Sequence, residues 1–152
     1  MGMLETRVRR GNKDRVAIGL PIGWRSVTNH AHSLLGKIWV MWNPSSVQFA
    51  VLDTSHQAIH GKLSFEETEI YESIVYGSCG YRERRDLWGN LIHHSSRFFG
   101  SPWVIMGDFN VSHYPSEHSG ERLLSSSHMI EFEQCIRKCE IEDLRQTGHF
   151  FS

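Results

Sequence analysis

The stretch Pro102-Trp103-Val104-Ile105-Met106-Gly107-Asp108-Phe109-Asn110 constrains this chain more than any other. Trp103 to Met106 is a short apolar run with the aromatic and β-branched content of a buried strand. Gly107 breaks that strand, as glycine does where backbone must turn or come close to something else. Asp108 and Asn110 follow, separated by a large apolar residue. If the backbone stays extended, the period of two puts both polar groups on one face and sends Phe109 into the core. A carboxylate and an amide then stand together at the carboxyl end of a buried strand, where layered α/β proteins tend to place their active sites.

The sequence of 152 residues is sufficient for one domain, residues 1–152, and short for two. The formal net charge of −1 gives no overall field that would attract nucleic acid, so such binding needs a local basic surface. One candidate is the loop carrying Arg9, Arg10, Lys13 and Arg15, whose plainer reading is a solvated connection. Three scattered cysteines make no disulfide framework and point to a reducing, intracellular setting, nuclear or cytoplasmic. No apolar run reaches the ~18 residues of a membrane span, and nothing resembles a secretion signal, so no membrane partner is expected.

Leu4, Thr6 and Val8 alternate as in a strand over residues 4–8. Residues 16–20 read as a short helix or turn, stopped by Pro21 and Gly23. Strands are predicted over 36–42, 47–52, 57–65 and 71–76, separated by turn residues in the manner of an antiparallel meander. In the third of these, Ile59, Gly61, Leu63 and Phe65 alternate against His60 and Lys62. After Gly77 the period changes to that of a helix over 82–98, with Leu87, Leu91 and Ile92 in one stripe. Residues 112–127 read as a long loop, and a second helix over 127–140 carries Met129, Phe132, Ile136 and Cys139 on one face. If the strands ending at Tyr76 and Asp108 are parallel neighbours across the first helix, those two ends meet at one edge.

Leu4-Glu5-Thr6, Ile74-Val75-Tyr76-Gly77 and Gly107-Asp108-Phe109-Asn110, in that order, resemble the endonuclease/exonuclease/phosphatase superfamily. The closer resemblance is to the apurinic-endonuclease-like domain of LINE-type retrotransposons of plants. It also takes in Tyr114-Pro115-Ser116-Glu117 and Glu140-Ile141-Glu142-Asp143-Leu144. It implies an α/β fold in which two packed β-sheets are flanked by helices, a four-layer sandwich. It further implies Mg²⁺-dependent (or Mn²⁺-dependent) hydrolysis of phosphodiester bonds, with DNA as the ancestral substrate. On this pattern Glu5 matches the metal-binding glutamate, and Asp108 the aspartate that steers or deprotonates the attacking water. Asn110 matches the amide that holds the phosphate. Tyr76 matches the tyrosine that reaches the phosphate or the leaving oxygen.

The resemblance also has gaps. The family pattern begins with an asparagine-bearing strand before the Leu-Glu-Thr stretch. It ends with a further aspartate and an Asp-His pair, none of which this sequence contains. The expectation is therefore a sandwich incomplete at both termini, binding Mg²⁺ weakly through Glu5, with little or no DNA nicking and possible self-association through exposed sheet edges. Two alternatives remain: a non-catalytic retroelement remnant that binds nucleic acid or protein, and a small-molecule phosphatase. His113 and His118 lie close after Asn110 but read as solvated loop residues. His128, Cys135 and Cys139 could share a helix face, yet the paired short-spaced motifs of a zinc site are missing and no structural zinc is expected.

Overall fold

A computed structural model describes residues 2–111 and 125–144. The Tyr114–Glu117 phrase, His113, His118 and the side chain of His128 lie outside the described residues. The elements run β1 (Gly2–Leu4), α1 (Lys13–Ala17), β2 (Arg25–Thr28), β3 (Ile38–Trp42), β4 (Gln48–Thr54), β5 (Ala58–Phe65), β6 (Thr68–Tyr76), α2 (Tyr81–Arg97), β7 (Trp103–Asp108) and α3 (Ser125–Cys139). They form one sheet of order β1-β3-β2 and a second of order β4-β5-β6-β7. All pairings are antiparallel except β6–β7, which α2 joins as a crossover.

Two cores explain the layering. Ile38 and Val40 from the first sheet meet Phe49, Ile59 and Ile74 from the second, closed by Leu4, Val27, Trp42, Leu63 and Tyr76. On the other face of the second sheet, Ala58 and Val75 pack under Leu87, Trp88 and Leu91 of α2 and Phe132, Cys135 and Cys139 of α3. The sequence of α2 makes this possible. Arg84, Leu87, Trp88, Leu91 and His94 recur at helical spacing and are the residues the helix buries. The result is the expected α/β sandwich of two packed sheets with helices against them.

Three local readings need correction. The strand predicted over residues 4–8 ends at Leu4, because Glu5 and Arg7 take positive φ (55° and 49°). Their left-handed backbone leaves the ladder. The stretch 103–106 is half-buried at the edge of its sheet, and the strand continues through Gly107 to Asp108. Gly107 is a contact glycine within the strand: its φ is 136°, and a Cβ there would sit 1.9 Å from the Val75 carbonyl oxygen. Finally, β5 is covered on both faces, so His60 is fully buried although the alternation reads it as the polar side.

Candidate functional site

Tyr76 and Asp108 end their strands as register partners in the parallel β6–β7 ladder. Past them the chains stay bound: the Gly77 N–H donates to the Asp108 carbonyl at 2.7 Å. Asp108 itself is exposed, and its Oδ1 accepts the Asn110 backbone N–H at 2.7 Å. This Asx-type bond accompanies a positive φ of 52° at Asn110, which turns the chain and brings the Asn110 amide back to donate to the Gly77 carbonyl. Phe109 packs inward beside Trp88 and Phe132. The extended geometry expected for 108–110 is thus replaced by a turn, with Asn110 aimed at the end of β6.

Tyr76 is partly buried against the inter-sheet core, and the Lys37 ammonium lies 5.2 Å from its ring centroid. Burial raises the Tyr76 hydroxyl above its ordinary pKa, and the charges of Glu5, Cys79 and Asp108 add to the rise. A hydrogen bond with the Asn110 side chain works against it. The hydroxyl thus feels the charges of Glu5 and Asp108 and bonds the Asn110 side chain. Glu5 stands somewhat apart in its bonding: its carboxylate is ion-paired with the Arg7 guanidinium, on side chains that are both more than half exposed.

The loop after Tyr76 is fastened from below. Gln57 is buried. Its backbone carbonyl accepts the Tyr76 N–H at 2.9 Å, its Oε1 accepts the Ser78 N–H at 2.7 Å, and its Nε2 donates to the Glu83 carbonyl at 2.8 Å. Arg84, also buried, donates to the carbonyls of Ser78 and Cys79. These two supporting residues escaped the sequence reading. Their only trace there is a polar residue at the start of a strand and an arginine in the apolar stripe of a helix.

Mg²⁺ takes one or two carboxylates and several waters, so the oxygen donors of this end of the sheet are of the right kind. The Glu5 carboxylate is accessible, and its competing partner Arg7 is the more exposed of the pair. A second group of possible ligands lies elsewhere: Asp53, His60 and His94 offer atoms within 4.8 Å of one another, under α2. Cys135 and Cys139, with Sγ atoms 4.0 Å apart, are core residues of α3, and Cys135 bonds the Trp88 carbonyl.

No protein-family model and no curated protein sequence matches the chain. Solved structures do. A zebrafish (D. rerio) TDP2 humanized by 14 mutations matches with a TM-score of 0.51 at 12% identity, over 73% of this chain and 52% of that one. That likeness is one of fold: two packed β-sheets with helices against them. D. rerio TDP2 in complex with a single-strand DNA product superposes with a TM-score of 0.49, at 12% identity over 73% of this chain and 47% of that one. The human Nocturnin catalytic domain with bound sulfate gives 0.38, at 16% identity over 79% and 57% of the two chains. The chain therefore spans about half the length of the TDP2 structures it matches. Among the described residues no helix is long and apolar enough to cross a membrane.

Proposed function

We propose that this chain is part of a Mg²⁺-dependent phosphodiester-hydrolysing domain that nicks DNA, derived from a LINE-type retroelement, with low turnover as it stands. The observation that carries the reading is the pairing of Tyr76 with Asp108 at the parallel strand ends, with the Asn110 amide turned back upon them. Bound Mg²⁺ would supply charge neutralisation at the phosphate, and Glu5 is the residue that would hold it.

The chain's own groups divide the remaining work. Asp108 has Oδ1 fixed by the Asn110 N–H, which leaves Oδ2 to orient a water toward phosphorus and accept its proton. The Asn110 amide is shared with the Tyr76 hydroxyl, and a phosphate oxygen would compete for that same donor. The Tyr76 hydroxyl keeps its proton well above neutral pH, so it serves as a donor to the phosphate or the leaving oxygen. Low turnover is part of the proposal and rests on the resemblance, whose pattern places a histidine on the phosphate; losing one such stabilising donor costs ~10²–10³ in rate.

A supercoiled plasmid and an abasic duplex, each incubated with excess protein in Mg²⁺ or in EDTA, test the reading. Mg²⁺-dependent conversion to nicked circle supports it. Binding without nicking at any protein excess would favour the non-catalytic alternative, for which the Glu5–Arg7 pairing is the specific support.

A further inference from the structure

Beneath α2, away from Tyr76 and Asp108, four strands and a helix bring together a polar cluster inside the protein. β4 and β5 pair in simple register from Gln48–Ser64 to Val51–Gly61, and then the register shifts so that Asp53, not Leu52, faces His60. That one-residue bulge re-aims a carboxylate at a buried imidazole, a use of bulges common beside functional sites. α2 adds Asn90 and, one turn on, His94, both above His60.

The hydrogen bonds form a directed chain. Trp103 Nε1 can only donate, and it donates to Ser73 Oγ at 2.8 Å. Ser73 Oγ lies 2.7 Å from His60 Nδ1, and His60 Nε2 is 2.5 Å from Asn90 Oδ1. Asn90 Nδ2 reaches Asp53 Oδ2 at 3.4 Å, and His94 Nε2 donates to the same oxygen at 3.0 Å. That leaves His94 Nδ1 without a partner among the described residues, in a side chain with no solvent exposure. A buried nitrogen with an unused lone pair is uncommon and marks a place where an ion or water belongs.

We propose that Asp53, His60 and His94 form a binding site for a zinc-class divalent transition metal, with Asn90 Oδ1 or a water as the fourth ligand. Two imidazoles and a carboxylate are the ligands such ions prefer over Mg²⁺. Asp53 remains 42% exposed and gives the ion a route in. Ser73, itself fixed by Trp103, is the outer partner that would orient His60 once its proton sits on Nδ1.

Loading has a geometric requirement. The His60 and His94 rings stack with centroids 3.8 Å apart at 24°, which holds their lone pairs in nearly parallel planes. A tetrahedral ion with bonds of ~2.0–2.1 Å draws its ligand atoms to roughly 3.3 Å of one another at convergent angles. One ring must therefore turn, and a turn of His94 would exchange its Nε2 bond to Asp53 for the bond to the ion.

Titration of the full chain with Co²⁺, followed by its visible d–d bands, tests this. The expected result is one equivalent bound with four-coordinate intensity, displaced by Zn²⁺ and indifferent to excess Mg²⁺. Asp53→Asn, at a half-exposed position, should weaken binding at least tenfold while leaving Mg²⁺-dependent nicking unchanged. Cys135→Ser should leave both unchanged. Absence of d–d bands at tenfold Co²⁺ excess would overturn the proposal. So would a near-ultraviolet thiolate band, or binding that Asp53→Asn does not weaken.

Discussion

Asp108 stands directly beside Tyr76, one residue from each of two parallel strands, and the bond from Gly77 N–H to the Asp108 carbonyl clamps the pair at 2.7 Å. That clamp fixes backbones rather than side chains. It leaves the Asp108 carboxylate exposed, so a mutation of that side chain can be read for chemistry with little disturbance of the fold.

The first such mutation is Asp108→Ala. Under protein excess it should lower Mg²⁺-dependent nicking by roughly 10²-fold or more, the contribution of a positioned base. Far-ultraviolet circular dichroism and the urea midpoint should stay near those of the parent, because the side chain is exposed.

Gly107→Ala should do the opposite and damage the fold. A Cβ would lie 1.9 Å from the Val75 carbonyl oxygen, and φ at 136° is open only to glycine. The expected loss is about 2–4 kcal/mol, from strain and overpacking together, read from the urea midpoint at constant m-value.

Gln57→Ala would strand the buried Ser78 N–H and remove the bond to the Glu83 carbonyl. A buried unpaired group costs roughly 1–3 kcal/mol. Gln57→Glu keeps the acceptor for Ser78 but loses the donor for Glu83, so it should fall between the parent and Gln57→Ala in chemical denaturation.

Glu72 carries the clearest pH dependence. Burial raises its folded-state pKa above the ordinary 4.5, so the folded protein holds this proton more tightly than the unfolded chain does. Stability therefore declines as pH rises from about 4.5 through the raised value, and the carboxylate costs stability at neutral pH. Glu72→Gln should melt at a higher temperature than the parent at pH 7, with the advantage gone at pH 4. An unchanged difference between those two pH values would contradict the assignment.

Self-association through a sheet edge is the remaining expectation. β4 ends its sheet, and its Val51 and Leu52 are each about 40% exposed. An unprotected edge with apolar side chains invites pairing with another chain. Light scattering should show a concentration-dependent dimer or larger species that Val51→Lys suppresses.

What could be read from the residues follows a physical division. The run 103–110 was legible because glycine, aspartate and asparagine each have few backbone roles after an apolar strand. Its detail was not, since the turn at Asn110 depends on a carbonyl supplied by β6. Glu5 lies where the ladder stops, and no local pattern announces its positive φ. The cluster of Asp53, His60 and His94 was illegible for a stronger reason. It depends on a bulge opposite His60, and on a second covering layer that buries the polar side of an alternating strand. Alternation reveals which residues share a face; it does not reveal that both faces are roofed.

The crossover described above has an engineering consequence. Tyr76, Asp108 and Asn110 all belong to one strand–helix–strand unit running from β6 through β7, while Glu5 enters from a separate sheet. On the proposed function, the half of the site that would face phosphate is therefore a transferable cassette, and the half that would hold the metal is an attachment point that a host scaffold must provide. Grafted into a related sandwich with its own glutamate, the segment should bring its constellation along whole.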